Sequence, residues 1–212
     1  MRGYVLVGGW PGSGKTTLSV GLAAALGFDY LSKDEVKEAL MDQLGRPDSV
    51  DESQGLGRAA VVAVLRVARA CRAAVIDSTW YPYTIPLVDA LSGPFVEIRC
   101  EVPLELARSR YCARHRDARH LDAQRTEAEL WGQPVLPLGV GPLITVDTSA
   151  PVDARDLARE VLAQLAALPL DPASRWRPAG WHAQLFNGID DTEWEGDRRL
   201  LDDDVRDPWA AQ

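Results

Sequence analysis

The chain has 212 residues, 46% of them hydrophobic and 25% charged, which gives room for one α/β domain with a substantial core and a tail left over. A formal net charge of -8 makes the surface as a whole repel nucleic acid and anionic lipid, so a general nucleic-acid or membrane-surface binder is not expected. The longest apolar run, Ala59 to Leu65, is stopped by Arg66 and is far too short to cross a bilayer.

In chain order, Tyr4-Val5-Leu6-Val7 reads as a buried strand, and Leu18, Leu22, Ala25 and Leu26 recur at helical spacing after it. Phe28 to Ser32 reads as a second strand, whose end carries Lys33-Asp34-Glu35-Val36-Lys37 at the start of another helix. Gly45-Arg46-Pro47-Asp48 marks a loop, with a helix from about Ser53 to Arg72 built on Ala60, Val61, Val64, Leu65 and Ala68. Ala73 to Asp77 is a third strand that ends in an acid. Pro82 and Pro86 then frame a loop and a short helix through Leu91. Phe95 to Cys100 is the fourth strand, and Pro103 opens a helix that runs into an arginine-rich stretch. Leu143 to Asp147 is the fifth strand, followed by an amphipathic helix from Asp153 to Leu168. Strands alternating with helices imply a parallel sheet covered on both faces. Loops at roughly 44–54, 80–86 and 121–141 are expected to shape specificity. Residues 1–170 are read as one domain and 171–212 as an extension. The extension carries ten acids against five arginines and four of the seven tryptophans, Trp176, Trp181, Trp194 and Trp209. It either wraps over the core with its indoles docked, or covers the site or a dimer contact.

The junction of the first strand and helix is Gly9-Trp10-Pro11-Gly12-Ser13-Gly14-Lys15-Thr16-Thr17, the pattern G-x-x-x-x-G-K-T. Gly12 and Gly14 let the backbone N–H groups, Ser13's among them, turn inward around a phosphate. The helix that follows Thr17's motif offers its unpaired N-terminal N–H groups to the same anion, with Thr17 among the nucleotide-binding residues. Lys15 is expected on the β- and γ-phosphates of ATP or another NTP, and the Thr16 hydroxyl on Mg2+. Asp77, at the end of an apolar strand, is placed to hold a water on Mg2+ or orient Thr16; otherwise it caps the turn Ser78-Thr79.

Asp34 follows the second strand by one residue. It is either a general base that takes the proton of an acceptor hydroxyl, or the N-cap or first-turn acid of the next helix. Lys37, one turn on, either holds a substrate anion or is a solvated surface lysine. Arg108, Arg110, Arg114, Arg116 and Arg119 cluster in a chain that is otherwise acidic. Guanidinium groups without nearby acids suit phosphate oxygens, and after the fourth strand they read as a lid over about 108–125 rather than a solvated basic face. Cys112, His115 and His120 do not make a metal site: the spacing is irregular, a fourth ligand is lacking and the arginines repel a cation. His182 is a lone histidine without a signal. Three cysteines with no C-x-x-C pair, and no signal-peptide layout at Met1-Arg2-Gly3, point to the reducing cytoplasm.

With the glycine loop, Ser32-Lys33-Asp34, Ile76-Asp77-Ser78-Thr79, the arginine lid and Leu143 to Thr148 in this order, residues 3–168 resemble the small P-loop kinases. These are the kinases related to polynucleotide 5′-hydroxyl kinase, chloramphenicol phosphotransferase and the zeta toxins. The resemblance implies the three-layer P-loop kinase fold with sheet order 2-3-1-4-5. It implies Asp34 as the base, and Arg110 and Arg114, with Arg116 beside them, bracing the transferred phosphate. It also implies that Thr148 and Ser149 lie near the adenine and that Thr79 lies on the acceptor side. Where the polynucleotide kinases carry an arginine three residues after the base, this chain has Lys37, which binds phosphate as a point charge. The expected activity is transfer of the γ-phosphate of ATP, with Mg2+, to a hydroxyl of a small molecule such as a nucleoside, sugar nucleotide or antibiotic. Alternatives are a polynucleotide 5′-hydroxyl kinase and, in another class, a regulatory ATPase without an acceptor.

Overall fold

A computed structural model describes residues 3–113, 121, 125–132 and 135–168. The extension 171–212, with its four tryptophans and His182, lies outside the described residues, as do Arg114, His115, Arg116, Arg119 and His120.

Five strands form one sheet in the order β2-β3-β1-β4-β5: β1 Gly3–Gly8, β2 Asp29–Ser32, β3 Ala73–Asp77, β4 Phe95–Glu101 and β5 Leu143–Asp147. Every neighbouring pair is parallel. This order is the one the resemblance implied. β1 is central and all six of its residues are buried, as continuous apolar strands covered on both faces must be. β5, at one edge, alternates exposed and buried residues instead.

The helices are α1 Lys15–Leu26, α2 Lys33–Leu44, α3 Val50–Ala68, α4 Ile85–Asp89, α5 Leu104–Ala113, α6 Glu127–Trp131 and α7 Ala154–Ala167. Leu18, Leu22 and Ala23 of α1 and Leu157, Ala158, Val161 and Leu165 of α7 bury against Val5, Val7, Val96 and Ile98 of the sheet. The Asp153 carboxylate caps α7, accepting from the amides of Arg155 at 2.8 Å and Asp156 at 3.3 Å. Among the described residues no helix is long and apolar enough to cross a membrane.

Two expected loops contain helix. α3 begins at Val50, before the expected Ser53, because Ser49 caps it by accepting from the Glu52 amide at 3.1 Å, with Asp51 and Glu52 in the first turn. Within the expected loop 121–141 stands α6. There Thr126 and Glu129 form a capping box: the Glu129 amide donates to Thr126 Oγ1 at 3.2 Å and the Thr126 amide to Glu129 Oε2 at 2.6 Å. Five residues are too few for a helical period to show in sequence. Behind this segment, the buried Glu97 carboxylate of β4 accepts from the amides of Leu138 and Val140, each at 2.6 Å, and pins the return loop to the sheet.

Candidate active site

Open parallel sheets bind ligands beyond the carboxyl ends of their strands, and here β1, β2 and β3 bring their ends together. The glycine loop leaves β1 and turns into α1. At Gly9, φ is +143° and a Cβ would fall 2.7 Å from both the Cys100 carbonyl oxygen and Ser13 Oγ. At Gly12, φ is +76° and a Cβ would fall 2.3 Å from the Ala107 carbonyl oxygen of α5. Both positions require glycine for backbone angle and for space. Ser13 is 1% exposed and its Oγ has no hydrogen-bond partner, a buried polar atom of the kind a bound anion would satisfy. The loop's chemistry fits a phosphate.

Lys15 folds back over the loop, and its Nζ donates to the Trp10 carbonyl oxygen at 2.9 Å. The exposed Thr16 hydroxyl donates to Asp77 Oδ2 at 2.6 Å, and Tyr30 donates to the same oxygen at 3.4 Å. Strand register explains this meeting. Asp77 stands opposite Val7 of β1 and Ser32 of β2, and Tyr30 lies two residues back from Ser32 on the same face. Burial pushes the Asp77 carboxyl above the ordinary aspartate value and the Asp34 charge adds to the rise, while Lys15 and the hydroxyl bonds pull it back. Burial likewise pushes the Tyr30 hydroxyl up to about 12, so it stays a donor. Among the described residues no group of three or more His, Cys, Asp or Glu could hold a metal. One hydroxyl and one carboxylate suit Mg2+, which takes few protein oxygens and completes its shell from phosphate and water. Thr17 is exposed on the first turn of α1.

Asp34 sits in the first turn of α2. The cap of that helix is Ser32, whose Oγ accepts from the Glu35 amide at 3.3 Å, so the N-cap role expected as one option for Asp34 is filled by another residue. The Asp34 carboxylate is 47% exposed and pairs with Lys33 Nζ at 3.0 Å. Ser32 pairs with Asp77 across β2 and β3, so Asp34, two residues on, stands at the same end of the sheet as Asp77. Thr79 is half-buried two residues beyond Asp77.

Two expectations need correction. Lys37 is neither a solvated lysine nor an open anion site: it is 2% exposed, and its Nζ donates to Ser53 Oγ of α3 at 2.7 Å, because α2 packs on α3. Arg110 is not an unsatisfied guanidinium awaiting phosphate. Two of its N–H groups donate to the Thr148 and Ser149 carbonyl oxygens, each at 2.9 Å, since α5 runs beside the end of β5. Thr148 in turn donates its hydroxyl to the Ser13 carbonyl oxygen at 2.6 Å, so Arg110 and Thr148 brace the glycine loop from outside. Tyr30 was missed by sequence reasoning, although its place two residues before Ser32 on the face shared with Asp77 was the available signal. Trp131 was missed too. Its ring lies edge-on to Trp10 of the glycine loop at 6.0 Å, a contact between distant residues that leaves no trace in local pattern.

A family model described as an AAA domain matches residues 5–131. An uncharacterized protein of Mycobacterium tuberculosis is 35% identical over 126 residues, covering 51% of this chain and 25% of its own length; a Mycobacterium bovis protein matches equally. The chain thus spans a quarter, 25%, of the curated relatives it matches. A candidate kinase from Chloroflexus aurantiacus is 27% identical with a TM-score of 0.70, covering 77% of this chain and 98% of that one. An APS kinase from Mycobacterium tuberculosis, in complex with AMPPNP and APS, shares the fold at 18% identity and a TM-score of 0.51, covering 78% of this chain and 98% of that one. The chain belongs to the AAA domain family and is built on the P-loop kinase fold.

Proposed function

We propose that this chain is a phosphotransferase that moves the γ-phosphate of ATP to a hydroxyl of a small molecule, such as a nucleoside, a sugar nucleotide or an antibiotic-like compound. The observation that carries the reading is the pairing of Thr16 with Asp77 beside the glycine loop, with Asp34 at the same end of the sheet. The likeness to a candidate kinase over most of its length supports the same class. In this reading the amides of Gly12 to Thr17 and the Lys15 ammonium hold the β- and γ-phosphates. Thr16 and Asp77 would hold Mg2+, which when bound neutralises charge on the phosphates. Asp34 takes the proton of the acceptor hydroxyl as its oxygen bonds to the γ-phosphorus; the bond from that phosphorus to the β,γ-bridging oxygen breaks and ADP leaves. Thr79 lies on the acceptor side. Arg110 serves through the backbone it clamps, and a phosphate-bracing role passes to Arg114 and Arg116. In the same reading residues 1–170 are the kinase domain and 171–212 an extension, a division that the end of α7 at Ala167 supports. The free cysteines Cys71, Cys100 and Cys112 support a cytoplasmic setting.

The test supplies γ-labelled ATP and Mg2+ with a mixed library of small hydroxyl compounds, and separately with a 5′-hydroxyl oligonucleotide. Label on a small molecule supports the proposal. Label on the oligonucleotide alone, or phosphate release that needs no added hydroxyl, overturns it in favour of a polynucleotide kinase or a regulatory ATPase.

A further inference from the structure

The Trp10 carbonyl oxygen has two donors inside the glycine loop. It accepts from the Ser13 amide at 3.1 Å, which closes the turn, and from Lys15 Nζ at 2.9 Å. The Trp10 backbone therefore helps place the loop's ammonium and one of its amides. The indole of the same residue is buried at Nε1 and, among the described residues, makes no hydrogen bond there, which leaves its placement to packing. Trp131 packs against that ring, with centroids 6.0 Å apart and ring planes at 87°. Trp131 also meets Tyr111 of α5 edge-on at 5.7 Å and 82°, and the Arg108 guanidinium lies 5.8 Å from its ring centroid. Arg108 then pairs at 2.8 Å with Glu127, the first residue of α6. α6 contributes no buried residue to the core, and among the described residues these contacts join it to α5 and the glycine loop. At Gly12 of the same loop, α5 approaches so closely that only glycine fits.

We propose that Trp131 is a positioning residue for nucleotide binding: through the Trp10 ring it holds the carbonyl on which Lys15 and Ser13 depend, and α6 ties the phosphate loop to α5. The proposal rests on the nucleoside-triphosphate reading of the glycine loop. Trp131 itself touches no phosphate; its effect reaches the ligand through the Trp10 backbone. Edge-to-face aromatic pairs orient as well as attract, because the positive ring edge seeks the negative face of its partner. A smaller apolar side chain would fill part of the space without restoring that orientation.

The experiment measures MgATP affinity by calorimetry and melting temperature on the full chain, for wild type, Trp131→Leu, Trp131→Phe, Trp10→Leu and the double variant Trp10→Leu/Trp131→Leu. Loss of two edge-to-face pairs of ordinary strength predicts a dissociation constant raised roughly tenfold in Trp131→Leu. Trp131→Phe, which keeps an aromatic edge, should recover most of the affinity. The double variant should bind no more weakly than Trp10→Leu alone, because both act on the same carbonyl. A merely structural role would lower the melting temperature while the folded fraction bound MgATP as wild type does, and that result overturns the inference. Additive losses in the double variant, or equal affinities in the leucine and phenylalanine variants, overturn it as well. Wild-type protein that binds no MgATP overturns the triphosphate reading itself, a failure distinct from a tight-binding wild type with an indifferent Trp131.

Discussion

The Thr16 hydroxyl donates to Oδ2 of Asp77 across 2.6 Å, joining the first turn of α1 to the end of β3. The two residues are separated by 61 positions in sequence. They meet because β1 and β3 are hydrogen-bonded neighbours with Val7 opposite Asp77. A hydroxyl held in this way keeps its lone pairs for a cation while its hydrogen is committed to the carboxylate.

Replacing Asp77 with Asn keeps the size of the side chain and an acceptor for Thr16, but removes the charge. The expected result is Mg2+-dependent ATP affinity lowered on the order of tenfold to a hundredfold, the usual effect of losing a partner of a metal ligand. Affinity for ATP measured in EDTA should stay near the wild-type value. Titrations with and without Mg2+ separate the two, and equal losses in both would contradict the assignment.

For Asp34→Asn the affected quantity is chemistry rather than binding. Acceptor-dependent turnover should fall by roughly a hundredfold to ten-thousandfold, the contribution of a positioned general base. ATP affinity should hardly change, because a general base acts on the acceptor hydroxyl and the carboxylate, 47% exposed, pairs with Lys33. An Asn variant that retains acceptor-dependent turnover would remove Asp34 from the reaction.

Gly12→Ala combines two faults, a Cβ at 2.3 Å from the Ala107 carbonyl oxygen and a φ of +76°. Backbone strain of this kind costs about 1–3 kcal/mol before the clash is counted. The variant should melt lower and lose MgATP binding, since α5 must shift away from the loop. Denaturant titration and calorimetry on the same sample test both expectations.

Glu97 supplies a pH prediction. Burial pushes its carboxyl above the ordinary glutamate value, and the amides of Val140, Leu138 and Gly141 pull back only part of the rise. The folded chain therefore holds this proton at pH values where the unfolded chain, with a pKa of about 4.3, has released it. Glu97's contribution to stability is fully present below the unfolded value and declines as pH rises through the folded one. Denaturant unfolding followed as pH rises above the unfolded value should show that share of the negative slope disappear in Glu97→Gln. An unchanged slope in the variant would assign the titration to another group.

Local pattern carried much of this molecule. The strand, glycine loop and helix from Gly3 to Leu26 are legible because glycine spacing, β-branched residues and helical periodicity act over a few residues. Ala73–Asp77 and Leu143–Asp147 have the same bounds in sequence and in structure, as short apolar runs ending in acids. The boundaries of α3 and the presence of α6 were less legible, because a cap or a five-residue turn offers too little repetition.

The sequence by itself determined the phosphate-binding loop, the alternation of strands and helices, and the acids that end β3 and follow β2, since each depends only on neighbouring residues. Tertiary structure alone decided that Lys37 is buried and donates to Ser53, that Arg110 clamps the carbonyls of Thr148 and Ser149, and that Trp131 rests on Trp10. Each of these contacts joins residues far apart along the chain. Packing of helices on the sheet, rather than any local preference, chooses which donor finds which acceptor.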